Sequence, residues 1–97
     1  MTEKKQYVLI RTEQAGVFVG YLESKEGREV TLSKARRIWR WAGAASVSQL
    51  AVDGTSNPSE CKFPAEVSEE TIYGWVEIIK VSEKAQKSIE GVPIWKE

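Results

Sequence analysis

The chain has 97 residues, and its 14 lysines and arginines are balanced by 14 aspartates and glutamates, so it has no net field with which to collect nucleic acid by charge alone. Its single cysteine, Cys61, excludes an internal disulfide, and the lack of any histidine removes the usual zinc sets and imidazole acid–base chemistry. A domain of this length buries only about 60–65% of the surface its unfolded chain exposes, so self-association would be a natural supplement to a modest core.

The opening MTEKKQ is charged and polar, which predicts no secretory signal, and residues 1–5 are expected to form a flexible N-terminus. Tyr7 to Thr12, YVLIRT, is β-branched and aromatic and too short for an ordinary helix, which predicts a strand. After a turn over Glu13 to Gly16, the alternation of Val17 to Ser24, VFVGYLES, predicts a second strand antiparallel to the first. Gly20 inside it marks a bulge or the close approach of another backbone. Lys25-Glu26-Gly27 is a tight-turn signal, and Arg28 to Leu32 predicts a third strand, so the first third of the chain is a meander.

Lys34 to Trp41 has two readings. As a strand it places Ala35, Arg37, Trp39 and Trp41 on one face and Arg36, Ile38 and Arg40 on the other; as a helix, Ala35, Ile38, Trp39 and Ala42 form an apolar stripe. The suitability of Ile and Trp for a pleated surface, with Gly43 behind them, favours the strand. Ala44 to Val52 predicts a short helix capped by Ser46. Asp53 to Glu60, DGTSNPSE, predicts a loop, and Cys61 to Val67, which contains Pro64, an edge strand or extended connector. Thr71 to Val81 predicts a strand covered on both faces. Ser82 caps a helix that stops at Gly91, and the tail VPIWKE is apolar enough to dock. No repeat, linker or apolar run of roughly 20 residues interrupts this pattern. The expectation is therefore a single domain over 1–97, of α+β class, mainly antiparallel β-sheet with one or two short helices, and no membrane partner.

No phosphate-binding glycine loop, nucleophile elbow or paired metal-ligand spacing is present. Cys61 lacks a histidine to activate it and reads as a small buried apolar residue. These points predict no enzyme, no cofactor and no metal. The stretch from Ser33 to Leu50, SKARRIWRWAGAASVSQL, is the better lead. Guanidinium forks match phosphate or carboxylate oxygens, indoles offer flat faces for a base, and Ser46, Ser48 and Gln49 add neutral donors and acceptors. The ordinary alternative is that the tryptophans are core and the arginines stack on them. Arg11 at a strand end is a further candidate for the same region.

RTEQAGVFVGYLES, EVTLSKARRIWRWAGAASVSQLA, DGTSNPSECKF and EKAQKSIEGVPIW together resemble a family of small bacteriophage and prophage proteins of unknown function. Arg36, Arg37, Trp39, Trp41, Gly43, Ala44, Ser46, Ser48 and Gln49 stand at the signature positions, and Arg40 falls at a more variable place. The resemblance implies action in the cytoplasm of an infected bacterial host and brings no established activity. By class analogy it suggests a homo-oligomeric, non-enzymatic protein that sequesters a nucleotide-derived immune signal. In that reading Arg36 and Arg37 hold phosphates, Trp39 and Trp41 wall the base, and Ser48 and Gln49 read polar edges. The alternative is a phage structural or interaction module, and the weaker one a single-stranded nucleic-acid binder, which the neutral charge disfavours.

Overall fold

The apolar alternation resolves into five strands, β1 (Tyr7–Thr12), β2 (Val17–Glu26), β3 (Glu29–Ile38), β4 (Val67–Tyr73) and β5 (Trp75–Lys80), with helices α1 (Val47–Asp53) and α2 (Glu83–Glu90). The structure is a computed structural model and describes residues 5–96. All but the last residue of the 1–5 segment expected to be flexible therefore lies outside the described residues. The architecture is the expected one: a five-stranded antiparallel sheet, ordered β4-β3-β2-β1-β5, and two short helices.

β3 is longer than expected, because the third strand and the ambiguous 34–41 segment are continuous through Ile38. They are joined by a bulge at Lys34, whose φ is 48°. Val19 pairs with Arg36 but Tyr21 with Ser33, so β3 holds one residue more than β2 across this step. An extra residue reverses the alternation. Val30 and Leu32 face one side of the sheet, but beyond the bulge it is Ala35 that joins them, while Arg36 and Ile38 turn to the opposite side. Gly20 sits against this bulge, where a Cβ would lie only 3.0 Å from the Ser33 carbonyl oxygen.

The single strand expected over 71–81 is two strands. Gly74, at a φ of 76° that disfavours any side chain, breaks it, and its amide donates to the Arg28 carbonyl at 2.8 Å. The two products lie at opposite edges of the sheet with one residue between them, so the sheet rolls to bring its edges together. The concave side encloses Val8, Ile10, Phe18, Val30, Leu32 and Ile72, with Trp75 and Ile78 packed against them. The Trp75 indole nitrogen donates to Gly27 of the β2–β3 turn at 3.0 Å, closing one end. On the convex side Tyr7, Leu9, Val19 and Ile38 meet Leu50 of α1, Ile89 of α2, and Phe63 and Val92. Both faces of the sheet are thus buried, as the two-sided apolarity of its sequence demands.

Among the described residues Arg36 is the buried charged side chain, at 6% exposure. Its Nε donates to Pro64 at 2.9 Å and Nη1 to Ile89 at 3.0 Å, while Nη2 reaches the carbonyls of Phe63 (3.1 Å), Val92 (2.8 Å) and Pro93 (3.2 Å). The guanidinium also lies 5.4 Å from the centre of the Phe63 ring. Arg36, expected from the sequence to hold phosphate, thus has all three of its side-chain nitrogens bonded to the chain's own backbone. Arg36→Leu leaves buried carbonyls unpaired and is expected to cost about 3 kcal/mol or more. Urea unfolding followed by circular dichroism checks this; a variant within 1 kcal/mol of the parent would contradict a structural role.

Candidate functional site

The eight residues singled out in the sequence do not converge. Arg37 lies on the concave side with its guanidinium 4.5 Å from the centre of the Phe18 ring and Nη1 donating to the Ala15 carbonyl at 2.6 Å. Arg11 is exposed on β1 and donates through Nε to Glu77 at 2.9 Å. Trp41 is half-buried against the convex core. Ser46 is the N-cap of α1: its hydroxyl accepts from the Gln49 amide at 3.2 Å, and the Gln49 side-chain oxygen accepts from the Ala45 amide at 2.7 Å. That pair satisfies orphan donors at the helix start, as a capping box does. Ser48 is exposed in the first turn of the same helix.

A different set is brought together just past the end of β3. The amides of Trp39 and Arg40 donate to the Lys62 carbonyl at 3.1 and 3.2 Å, and the Lys62 amide returns to Arg40 at 2.8 Å. Phe63 next to it bridges in parallel to Ile94, and the Trp95 amide donates to Phe63 at 3.0 Å. Three extended segments thereby place Trp39 and Trp95 in parallel, their ring centres 6.3 Å apart and planes 7° from coincidence. Both remain open to solvent, at 64% and 41% exposure. The Lys62 ammonium stands 5.4 Å from the Trp95 ring centre, and Arg40 is exposed beside it. Parallel aromatic rings with an ammonium over one of them can stack a planar group and neutralise an attached anion.

The floor behind this platform is made by two loops. Ser56 donates through its amide to Gly43 at 3.2 Å, and the Thr55 hydroxyl donates to Ala42. Cys61 is buried there, its sulfur accepting from the Ala42 amide at 3.4 Å, which fits the packing role read from the sequence.

A family model, described as a domain of unknown function (DUF6948), matches residues 5–89. The chain belongs to this family. No curated protein and no solved structure matches it. The DUF6948 match runs from the residues before β1 into α2 and includes Trp39, Arg40 and Lys62, whereas Trp95 lies beyond it. Among the described residues no cluster of acidic and thiol groups could hold a metal, and no helix is long and apolar enough to cross a membrane.

Sequence reasoning gave Arg40 less weight as a more variable position, read Lys62 as a solvated residue flanking the loop, and did not single out Trp95. The usable signal was the tail VPIW, whose apolar residues predict docking, but the place where it docks is set by Phe63, thirty-one residues upstream of Ile94.

A second concavity, of about 360 Å³, opens on the convex side where α2 ends, lined by Tyr7, Lys34, Arg36, Glu66, Glu90, Val92 and Ile94. Burial, and then the nearby Glu90 carboxylate, pushes the Tyr7 phenol well above its ordinary value.

Two outcomes follow from this geometry. Ser46→Ala is expected to lower stability by about 1 kcal/mol through loss of the cap, measured by thermal or urea unfolding. Above about pH 10 the unfolded chain ionises Tyr7 while the native chain resists, so stability declines as pH rises further. Tyr7→Phe should show a shallower alkaline decline than the parent in pH-dependent unfolding, and an identical slope would remove the burial argument.

Proposed function

We propose that this DUF6948 protein is a non-enzymatic binding protein that captures a nucleotide-derived small molecule on the Trp39–Trp95 platform. The observation that carries the reading is the pair of parallel, solvent-open indoles with the Lys62 ammonium over the Trp95 ring and exposed Arg40 bridged to Lys62 through the backbone. Large aromatic rings left exposed in a small domain are costly unless something covers them, and a base with an attached phosphate matches both their shape and their charge. Relative to the sequence reading, Trp39 keeps its stacking role, while Lys62 and Arg40 replace Arg36 and Arg37 as phosphate partners. The resemblance to small phage proteins supports placing the protein in the cytoplasm of an infected bacterium, where sequestering a nucleotide signal would disarm host immunity. The zero net charge supports a small ligand over a nucleic-acid chain.

Exposed Ile94, at 55%, extends the indole pair into an apolar patch. That patch favours a second reading, in which the same surface is the contact between copies of a homo-oligomer.

Tryptophan fluorescence titrations with cyclic dinucleotides, cyclic trinucleotides and ADP-ribose derivatives test the proposal. The expected result is saturable quenching by one of these, weakened about tenfold or more in Trp39→Ala, with a melting temperature within about 2 °C of the parent because Trp39 is exposed. Native mass spectrometry reports subunit number alongside. No quenching by any nucleotide, together with dissociation of the oligomer in Trp39→Ala, would transfer the platform to the interface reading.

A further inference from the structure

The concavity beside the C-terminal end of α2 has the features of a second, separate site. Tyr7 is only 7% exposed and lines the concavity, and its hydroxyl makes no hydrogen bond among the described residues. A buried hydroxyl normally finds a partner. The phenol is not sealed away as a fully enclosed, unsatisfied atom, so its oxygen opens onto the cavity. Beside it lies Arg36, whose nitrogens bond backbone carbonyls and whose charge already interacts with Tyr7 and Glu66. Lys34 lines the concavity too, at the bulge. The Tyr7 hydroxyl and Lys34 offer donors, the phenol staying protonated because burial opposes its ionisation.

Glu66 and Glu90 supply carboxylates to the same lining; one oxygen of Glu90 accepts from the Gln86 amide at 3.1 Å, and Glu66 acts electrostatically on both Tyr7 and Arg36. Val92 and Ile94 contribute apolar surface. A dianion such as phosphate would meet two carboxylates, and a diamine would meet Lys34 and Arg36, so neither matches a lining that carries both signs. A volume of about 360 Å³ lies at the small end of ligand pockets.

We propose that this concavity binds a small zwitterion of amino-acid size, its carboxylate received by the Tyr7 hydroxyl and Lys34 and its ammonium by Glu66 and Glu90. This site does not depend on the Trp39–Trp95 platform.

The test is a titration of the isotope-labelled full chain with L-lysine, γ-aminobutyrate and glycine, followed by NMR at the Val92 methyls, with acetate, methylammonium and inorganic phosphate as half-ligand and anion controls. At least one zwitterion is expected to shift the Val92 signals saturably, at a concentration about tenfold below acetate or methylammonium. Tyr7→Phe removes a hydroxyl that bonds nothing in the protein, so it should leave the melting temperature within about 2 °C while weakening binding about tenfold. Glu66→Gln should weaken the zwitterion and spare acetate. Trp39→Ala should leave the titration unchanged, which separates this site from the platform. Tighter binding of phosphate than of any zwitterion, unchanged affinity in Tyr7→Phe, or no saturable shift with any probe would each overturn the assignment.

Discussion

One buried guanidinium holds the molecule's second layer to its sheet. Arg36 projects from β3 and gathers carbonyls from Phe63 and Pro64, from Ile89 near the end of α2, and from Val92 and Pro93 of the tail. None of these segments belongs to the sheet, and although Phe63 and Ile89 also accept backbone amides, the carbonyls of Pro64, Val92 and Pro93 meet the guanidinium. A fork of donors is the one side chain that can serve several at once. The charge is tolerated without a carboxylate because the carbonyl dipoles point at it, and one of them is at a helix C-terminus, where positive charge is favoured. Its burial nevertheless opposes the charged form, which lowers its proton affinity from the ordinary value. Such a group stabilises by being surrounded completely, and it would be a liability if any of the three segments drifted away.

That arrangement depends in turn on a single extra residue. Without the bulge at Lys34, Arg36 would share a face with Val30 and Leu32 and point into the sealed concave core. There it would meet only aliphatic side chains, and the convex layer would lose its anchor. The bulge also decides Arg37, which becomes the concave-side neighbour of Phe18, and Lys34, which is turned to the rim of the cavity. Three adjacent basic residues that look equivalent in sequence therefore have three different environments. Gly20 is part of the same device, since a side chain at that position would press on the Ser33 carbonyl and the Ala35 backbone.

These facts set the limits of reading the sequence. Local signals carried far: the strand at Tyr7–Thr12, the serine caps at positions 46 and 82, and the Gly91 stop are each governed by neighbours within one turn, and the structure has all of them. The break at Gly74 was less visible, because a glycine inside an apolar run reads as a weak strand residue until the sheet edges on either side of it are known. The spatial grouping of the candidate residues was not legible, because sequence adjacency is not spatial adjacency. Ser46 and Gln49 are polar residues near tryptophans, yet their hydrogen-bonding groups are turned to the backbone of α1. Trp95, more than fifty residues from Trp39, stacks on it because two isolated bridges relay one segment to the next.

The aromatic platform and the charged cavity lie on either side of the same short tail. Val92 and Ile94 both line the cavity, the first held by Arg36 and the second bridged to Phe63, and Trp95 completes the platform. A lesion in Arg36 would therefore disturb both surfaces for reasons unrelated to ligand contact. Trp39 and Tyr7 behave differently, since the exposed indole of one and the unpartnered hydroxyl of the other bear none of the hydrogen bonds that fix the tail. Binding chemistry and structural anchoring are thus carried by different side chains within a few ångströms of each other, which makes the two separable by substitution in a domain this small.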